Sequence, residues 1–146
     1  MRIRSAAPED FQPVCELLEE LGRAQVTPET REACGRLWAY DLVDPRVDHL
    51  VAESPAGAVV AFCSLHYRPR LNYPTPQAWI PDLIVTFPER GKGAARALLA
   101  EAEHRARERG CWALTLESGY QRKEAHALYV SLAFEDKGLY FGKPLD

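Results

Sequence analysis

The sequence has little that would mark a metal site, a membrane span or a nucleic-acid surface. Its four cysteines form no Cys-x-x-Cys pair: Cys15, Cys34, Cys63 and Cys111. No apolar run is long enough to span a bilayer, and Met1 to Arg4 leads directly into polar sequence, so we expect neither a signal peptide nor a membrane partner. A net charge of −3 argues against a nucleic-acid partner. These absences predict a cytoplasmic protein with reduced thiols and no metal.

The length and hydrophobic content of the chain are sufficient for one folded domain. The chain has 146 residues, of which 47% are hydrophobic, so it can bury one core but is too short for two full-sized domains. We therefore expect a single domain over residues 1–146. The sequence contains no internal repeat, low-complexity tract or linker.

Periodicity and turn residues predict strands and helices in the order β-α-α-β-β-β-α-β-α-β-β. Its strand–helix–strand segments imply an α/β (α+β) fold with a mixed sheet. The second helix is expected to have Thr27 as its N-cap and Pro28 as its first residue, and to bury three residues: Ala33, Leu37 and Trp38. Residues 78–85 read as a strand that Pro81 would bulge or place at an edge. Residues 134–143 read as a closing hairpin.

The most distinctive segment is a glycine-rich turn, residues 88–99, that follows a predicted strand and begins a helix. Gly91 and Gly93 would let the backbone approach an anion closely, and the N–H groups at a helix N-terminus form a phosphate pocket. Three basic residues add positive charge: Arg90, Lys92 and Arg96. The plain alternative is a strand–helix turn whose glycines serve packing.

Two other phosphate-binding patterns fit this turn poorly. A Walker A loop needs Ser or Thr after its lysine, whereas Gly93 follows Lys92. A dinucleotide fingerprint needs a small residue where this chain has Arg96.

The segment Arg90-x-x-Gly93-x-Ala95 instead resembles the Arg/Gln-x-x-Gly-x-Gly/Ala loop of GNAT acetyltransferases, and the resemblance extends over essentially the whole chain. It is carried by Arg4-x-Ala6-x-x-x-Asp10, by Ile80-x-Asp82-Leu83-x-Val85, which is also similar to glucosamine-phosphate acetyltransferases, and by Ala125-His126-x-Leu128-Tyr129-x-x-x-Ala133-Phe134. The resemblance implies a GNAT fold, small, single-domain and of bacterial type. Its twisted sheet would have about six or seven strands with about four helices on both faces. A homodimer is also expected.

The resemblance further implies an N-acetyltransferase that uses acetyl-CoA as co-substrate. Acetyl would pass to a primary amine of a small molecule by direct attack in a ternary complex. Pantetheine contacts would come from Leu83, Ile84 and Val85, and phosphate contacts from Arg90, Gly91, Lys92, Gly93, Ala94 and Ala95.

Three residues are candidates for the chemistry. The resemblance places Tyr129 near the coenzyme A sulfur as general acid, although a packing role is its alternative. Asp82 is a base, an amine-binding group or a structural carboxylate. His126, one helical turn before Tyr129, is a base or a helix-packing residue. Glu117 is a weaker candidate for substrate binding.

Two positions depart from the family pattern. Pro81 stands where many relatives have an acid, and Ala133 replaces the glycine that usually ends the last helix. Alanine there costs about 1 kcal/mol if its φ is positive.

Other functions and roles stay open. The chain could be an inactive acyl-CoA-binding regulatory module, a protein or tRNA acetylase, or a nucleotide-binding domain, although the acidic charge disfavours a tRNA substrate. Tyr67, Tyr73 and Trp79 either wall an acceptor pocket or cover the core. His49 and His66 are interpreted as incidental strand residues.

Overall fold

A computed structural model describes residues 1–118 and 122–145. It falls into two compact units, one from Met1 to Thr115 and one from Leu116 onward. The strands are β1 (Arg2–Ser5), β2 (Val47–Glu53), β3 (Val59–Arg68), β4 (Gln77–Ile80), β5 (Leu83–Val85) and β6 (Ala113–Leu116). The α-helices are α1 (Phe11–Glu20), α2 (Arg31–Val43), α3 (Ala94–Glu108) and α4 (Lys123–Ser131).

The six strands form one sheet in the order β1-β2-β3-β4-β6, with β5 also paired to β3. The pairs β1·β2, β2·β3, β3·β4 and β3·β5 are antiparallel. The chain reaches β6 through α3, a strand–helix–strand crossover of the kind that joins parallel strands. The predicted mixed α/β sheet and helix number are confirmed.

The predicted interruption at Pro81 is present, but it divides the expected strand 78–85 into two short strands. Proline has no N–H to donate to a ladder. The next residue restores the pairing, because Asp82 N donates to Ser64 Oγ at 3.0 Å and Ser64 N donates to Asp82 O at 3.0 Å. The break between β4 and β5 is therefore held by a serine on β3.

Side chains on β2 and β3 pack on both faces of the sheet. One face meets α1 and α2 around a cluster of buried residues: Val14, Leu17, Trp38, Val51, Phe62 and Ile84. The other face meets α3, which buries Leu98, Leu99, Ala102 and Ala106. Because strand side chains alternate, even positions of β3 from Phe62 onward face α1 and α2, and odd positions face α3.

The second helix differs from its predicted form. It begins at Arg31 because the Thr27–Thr30 segment closes a turn, in which Thr27 N donates to Thr30 Oγ1 at 2.9 Å. Trp38 is buried, but Leu37 is 59% exposed and Ala33 is also exposed. Adjacent helix positions are about 100° apart, so a helix that turns Trp38 to the sheet turns Leu37 away.

In the second unit, α4 ends in a Schellman motif. Phe134 N donates to Tyr129 O at 3.0 Å, and Ala133 N donates to Val130 O at 3.1 Å. Ala133 has φ 66°, the only non-glycine residue with positive φ in the described chain. The positive φ on which the expected cost of this alanine depends is therefore present.

The predicted closing hairpin is wrong, since residues 134–145 contain no strand. Its sequence has an apolar, β-prone run, but Leu139, Tyr140 and Phe141 are exposed. Strand propensity mostly expresses packing against neighbouring strands, so such a run alone does not make a strand. Separately, none of the helices in the described parts of the chain combines the length and apolar character needed to cross a membrane.

Candidate functional site

The glycine-rich turn lies between β5 and α3 and has the geometry of an anion site. Gly91 has φ 78° and Gly93 has φ 91°, and Gly93 immediately precedes α3. Ala97 N donates to Gly93 O at 3.0 Å, so the N–H groups of Ala94 and Ala95 precede the first turn of intrahelical bonding. N–H groups at this end of a helix attract phosphate.

The same geometry argues against a packing role for the glycines. A Cβ atom at either Gly91 or Gly93 would have no protein atom within 4 Å. Their left-handed backbone, and not a shortage of space, is what requires glycine within the protein.

A carboxylate at the end of α1 holds the loop. Glu20 accepts hydrogen bonds from Thr86 Oγ1 at 2.9 Å and from Phe87 N at 2.7 Å. Arg90 lies 3.7 Å from Glu20 Oε1 through Nη2, and its Nε donates to Val85 O at 3.0 Å. Arg90 is thus directed from the loop back to the end of β5.

The cations of the loop are in weak surface contacts. Lys92 Nζ donates to Glu89 Oε2 at 3.2 Å, and the Lys92 side chain is 57% exposed. Exposed ion pairs contribute little to stability, about 0–1 kcal/mol, so Lys92 and Arg90 can turn to a phosphate at small cost.

The residues expected to contact pantetheine form β5. Leu83 and Ile84 are buried, and the backbone of β5 pairs with Cys63, Phe62 and Ala61 of β3. Among the described strands the sheet order gives β5 one neighbour, β3. Its second edge has the backbone groups that an extended ligand arm needs.

Asp82 lies at the break that precedes β5 and is engaged by a cation. Arg23 Nε donates to Asp82 Oδ1 at 2.8 Å, and Arg23 Nη2 donates to Pro81 O at 3.1 Å. The second oxygen, Oδ2, accepts a longer bond from Ser64 Oγ at 3.4 Å. This geometry fits the structural-carboxylate interpretation of Asp82, while a base role stays a prediction.

The other two candidates for catalysis lie on α4 in the second unit. Tyr129 is buried, and its ring centroid is 5.9 Å from that of Phe134. His126, one turn earlier, is partly exposed, as expected for two residues on one helix face. Glu117 is exposed just after β6. Their roles stay predictions.

A row of aromatic and imidazole rings lies on the α1/α2 face and was not predicted from the sequence. His49 and His66 belong to this row, so the interpretation of these two histidines as incidental strand residues is wrong. His49 is buried, stacks on Trp38 at 5.2 Å between centroids, and its Nε2 lies 2.9 Å from Asp41 Oδ2. The His66 ring is 6.0 Å from His49 and 5.6 Å from Trp79. Burial, reinforced by His49, lowers the pKa of His66. The alternation of side chains along β3 can be read from the sequence, but the register of β3 with β2 and β4, which aligns the rings, was not predictable.

The three aromatic residues considered as either an acceptor-pocket wall or a cover of the core lie in three different surroundings. Tyr67 faces α3, where its hydroxyl donates to Asp48 Oδ2 at 2.5 Å. Tyr73 stacks on Trp112 with centroids 4.0 Å apart. Trp79 lies on the α1/α2 face beside His66. The shared-wall interpretation is wrong for Tyr67, because odd and even positions of β3 point to opposite faces.

Metal ligands are not grouped in residues 1–118 and 122–145: these ranges contain no set of three or more His, Cys, Asp or Glu side chains positioned to hold a metal ion.

Comparison with known proteins decides the family. Residues 11–134 match the model of the acetyltransferase (GNAT) family. The chain belongs to the GNAT family. It is accordingly an N-acetyltransferase, of a family whose co-substrate is acetyl-CoA. The match spans the turn between β5 and α3 and both candidate residues of α4.

Among its relatives is an aminoalkylphosphonate N-acetyltransferase of Salmonella typhimurium, 31% identical over 98% of this chain and 90% of that protein. Two solved structures share the fold. Glucosamine-6-phosphate N-acetyltransferase from Arabidopsis thaliana matches at a TM-score of 0.86 and 20% identity, covering 99% of this chain and 98% of that one. A ribosomal-protein-alanine N-acetyltransferase from Brucella melitensis matches at 0.76 and 20%, covering 99% and 100%.

Proposed function

We propose that this GNAT acetyltransferase transfers acetyl from acetyl-CoA to the primary amine of a small molecule that also carries an anionic group, of the aminoalkylphosphonate class. The observation that carries the coenzyme A part is the pair of left-handed glycines at the N-terminus of the 15-residue α3. The acceptor class is supported by the 31% identical relative, and the net charge of −3 favours a small molecule over tRNA.

Coenzyme A would be held mostly by backbone. The loop N–H groups and nearby cations would bind the pyrophosphate, and β5 would pair with the pantetheine amides. The phosphate-binding residues proposed are Arg90, Gly91, Lys92, Gly93, Ala94 and Ala95, and the pantetheine-binding residues Leu83, Ile84 and Val85.

The reaction needs a deprotonated amine and a leaving thiolate. The amine nitrogen attacks the thioester carbon in a ternary complex, the new C–N bond forms, and the C–S bond breaks. Tyr129 is proposed to protonate the departing sulfur. Asp82 and His126 are proposed to bind or deprotonate the ammonium, Asp82 only after exchange of its Arg23 partner.

Turnover with defined amines tests the proposal. The purified chain, acetyl-CoA and 2-aminoethylphosphonate should release free thiol and yield the N-acetylated product by mass. Ethylphosphonate, which lacks the amine, should give no thiol above hydrolysis. Propylamine, which lacks the anion, should react poorly.

The outcomes separate the parts of the proposal. If coenzyme A binds but propylamine reacts as well as the phosphonate, the anionic acceptor class is wrong. If coenzyme A does not bind, the assignment of the loop is wrong.

A further inference from the structure

We propose that β3 and β4 carry the acceptor subsite, in which His66, rather than Asp82 or His126, takes the ammonium proton, Trp79 forms the floor and Arg68 binds the anionic group. This inference rests on the proposed function and deepens it. It adds two residues that the sequence patterns did not select, His66 and Arg68, to Trp79, which they had named as a candidate wall of the acceptor pocket.

The location follows from the direction of coenzyme A. The phosphate loop lies after Val85, so a pantetheine arm that follows β5 runs from Val85 toward Leu83. Its acetyl end then reaches the break at Asp82, which Ser64 closes from β3. His66 is two residues beyond Ser64 on the same face, about 7 Å along the strand.

His66 has the surroundings of a base. It is partly exposed, so it can reach a ligand, while the ring behind it, His49, is buried and bound to Asp41 at 2.9 Å. The charged or titratable groups that face it are His49 on β2, Asp41 on α2, Asp44 after α2, Arg68 on β3 and Asp82 at the break. Burial outweighs the attraction of the carboxylates and lowers the pKa of His66, which leaves its ring neutral at pH 7.

Trp79 and Arg68 supply the rest of the subsite. Trp79 is the cross-strand partner of His66, and the Arg68 guanidinium lies 4.3 Å from the Trp79 ring centroid. Arg68 Nε donates to Gln77 Oε1 at 3.0 Å, which orients the planar fork. A guanidinium binds phosphonate or carboxylate oxygens in pairs. His66 and Arg68 are again about 7 Å apart along the strand, close to the span of a short aminoalkyl anion.

The protons balance without another reactant. The ammonium gives its first proton to His66, which later releases it to water. The amine then forms the C–N bond as the C–S bond of acetyl-CoA breaks. Tyr129 gives its proton to the coenzyme A sulfur, and the second proton of the amine replaces it. The products are the amide, the free thiol and one proton.

Kinetics of His66 variants test the base. In His66→Gln, kcat with 2-aminoethylphosphonate should fall at least 100-fold while the affinity for coenzyme A stays within twofold. The acid limb of the pH–rate profile, expected below the ordinary histidine pKa of about 6.5, should disappear. His66→Ala should recover activity with added imidazole, which a structural role would not predict. His104→Gln, an exposed histidine on α3, is the matched control.

Arg68→Gln should raise KM for 2-aminoethylphosphonate at least tenfold with little change in kcat, and leave kinetics with propylamine unchanged. Arg107→Gln, in an exposed pair with Glu103, is the control. A similar loss with propylamine would overturn the anion-binding role of Arg68. A wild-type rate or a retained acid limb in His66→Gln would overturn the base.

A binding measurement separates this inference from the proposed function. In imidazole NMR spectra, 2-aminoethylphosphonate should shift one histidine signal that is absent from His66→Gln. Acetyl transfer to this amine without such a shift would leave the function standing and reject the subsite. A shift without acetyl transfer would support the subsite and reject the proposed reaction.

Discussion

Substitutions at Gly93 can separate two reasons for a glycine at this position: the left-handed backbone conformation and the close approach of an anion to the loop. Gly93 has φ 91° and ψ 5° and precedes α3. An alanine in this left-handed region costs about 1–2 kcal/mol of stability, whereas asparagine adopts it more readily and costs less. A Cβ at this position meets no protein atom within 4 Å, so the added β-carbon makes no clash inside the protein.

Binding responds differently from stability. In the proposed coenzyme A site, any Cβ at Gly93 would stand where the pyrophosphate approaches the loop N–H groups. We therefore expect both Gly93→Ala and Gly93→Asn to weaken coenzyme A binding at least tenfold, about 1.4 kcal/mol, although asparagine restores most of the stability. An effect of strain alone would spare the asparagine variant.

Gly57 provides a matched control. It has φ 88° in the turn between β2 and β3 and likewise has no atom within 4 Å of a built Cβ. Gly57→Ala and Gly57→Asn should show the same order of stability loss by denaturant unfolding but unchanged affinity by calorimetry. Wild-type affinity in Gly93→Asn would refute the reasoning and remove the loop from the coenzyme A site.

Three further substitutions test the backbone strain at the end of α4, the dependence of stability on acid pH and the proposed general acid. Ala133→Gly should raise the free energy of unfolding by about 1 kcal/mol, because it relieves the φ of 66°; an unchanged denaturation midpoint would mean that Ala133 is not strained. Asp10→Asn should cost about 2 kcal/mol at pH 7, since Arg4 donates to that buried carboxylate at 2.7 Å. The hydrogen bond from Arg4 lowers the pKa of Asp10 in the folded state. The stabilisation by this carboxylate is therefore complete above about pH 4 and is lost as the pH falls through the folded-state pKa. Urea unfolding across pH should show this loss in the wild type and not in the variant. Tyr129→Phe should lower kcat 10- to 100-fold with coenzyme A affinity intact, and a wild-type rate would support its packing role alone.

The features that sequence reasoning predicted are those encoded by neighbouring residues. The turn before α3 was predictable because Gly91 and Gly93 each need a conformation that few other residues adopt. The break at Pro81 was predictable because proline lacks a donor, and the strain at Ala133 because alanine replaces a glycine in a helix-ending pattern.

The features that it missed depend on partners distant in sequence. The start of α2 was placed three residues early, because a turn over Thr27–Thr30, in which Thr27 N donates to Thr30 Oγ1, precedes the helix. The row that includes His49, His66 and Trp79 depends on the registers of β3 with β2 and with β4. A one-residue slip in either register would turn these rings to different faces.

In the proposed site, the backbone and the side chains of β3 have different tasks. Its backbone positions β5 and therefore the proposed coenzyme A arm, a task that is largely indifferent to side chains. The side chains of its even positions His66 and Arg68 are partly exposed and exposed, and they follow the break where the acetyl group would arrive, so we expect substitutions there to change the acceptor without moving the cofactor. If the proposed subsite is correct, His66 and Arg68 are therefore the positions at which the specificity for the acceptor should be sought.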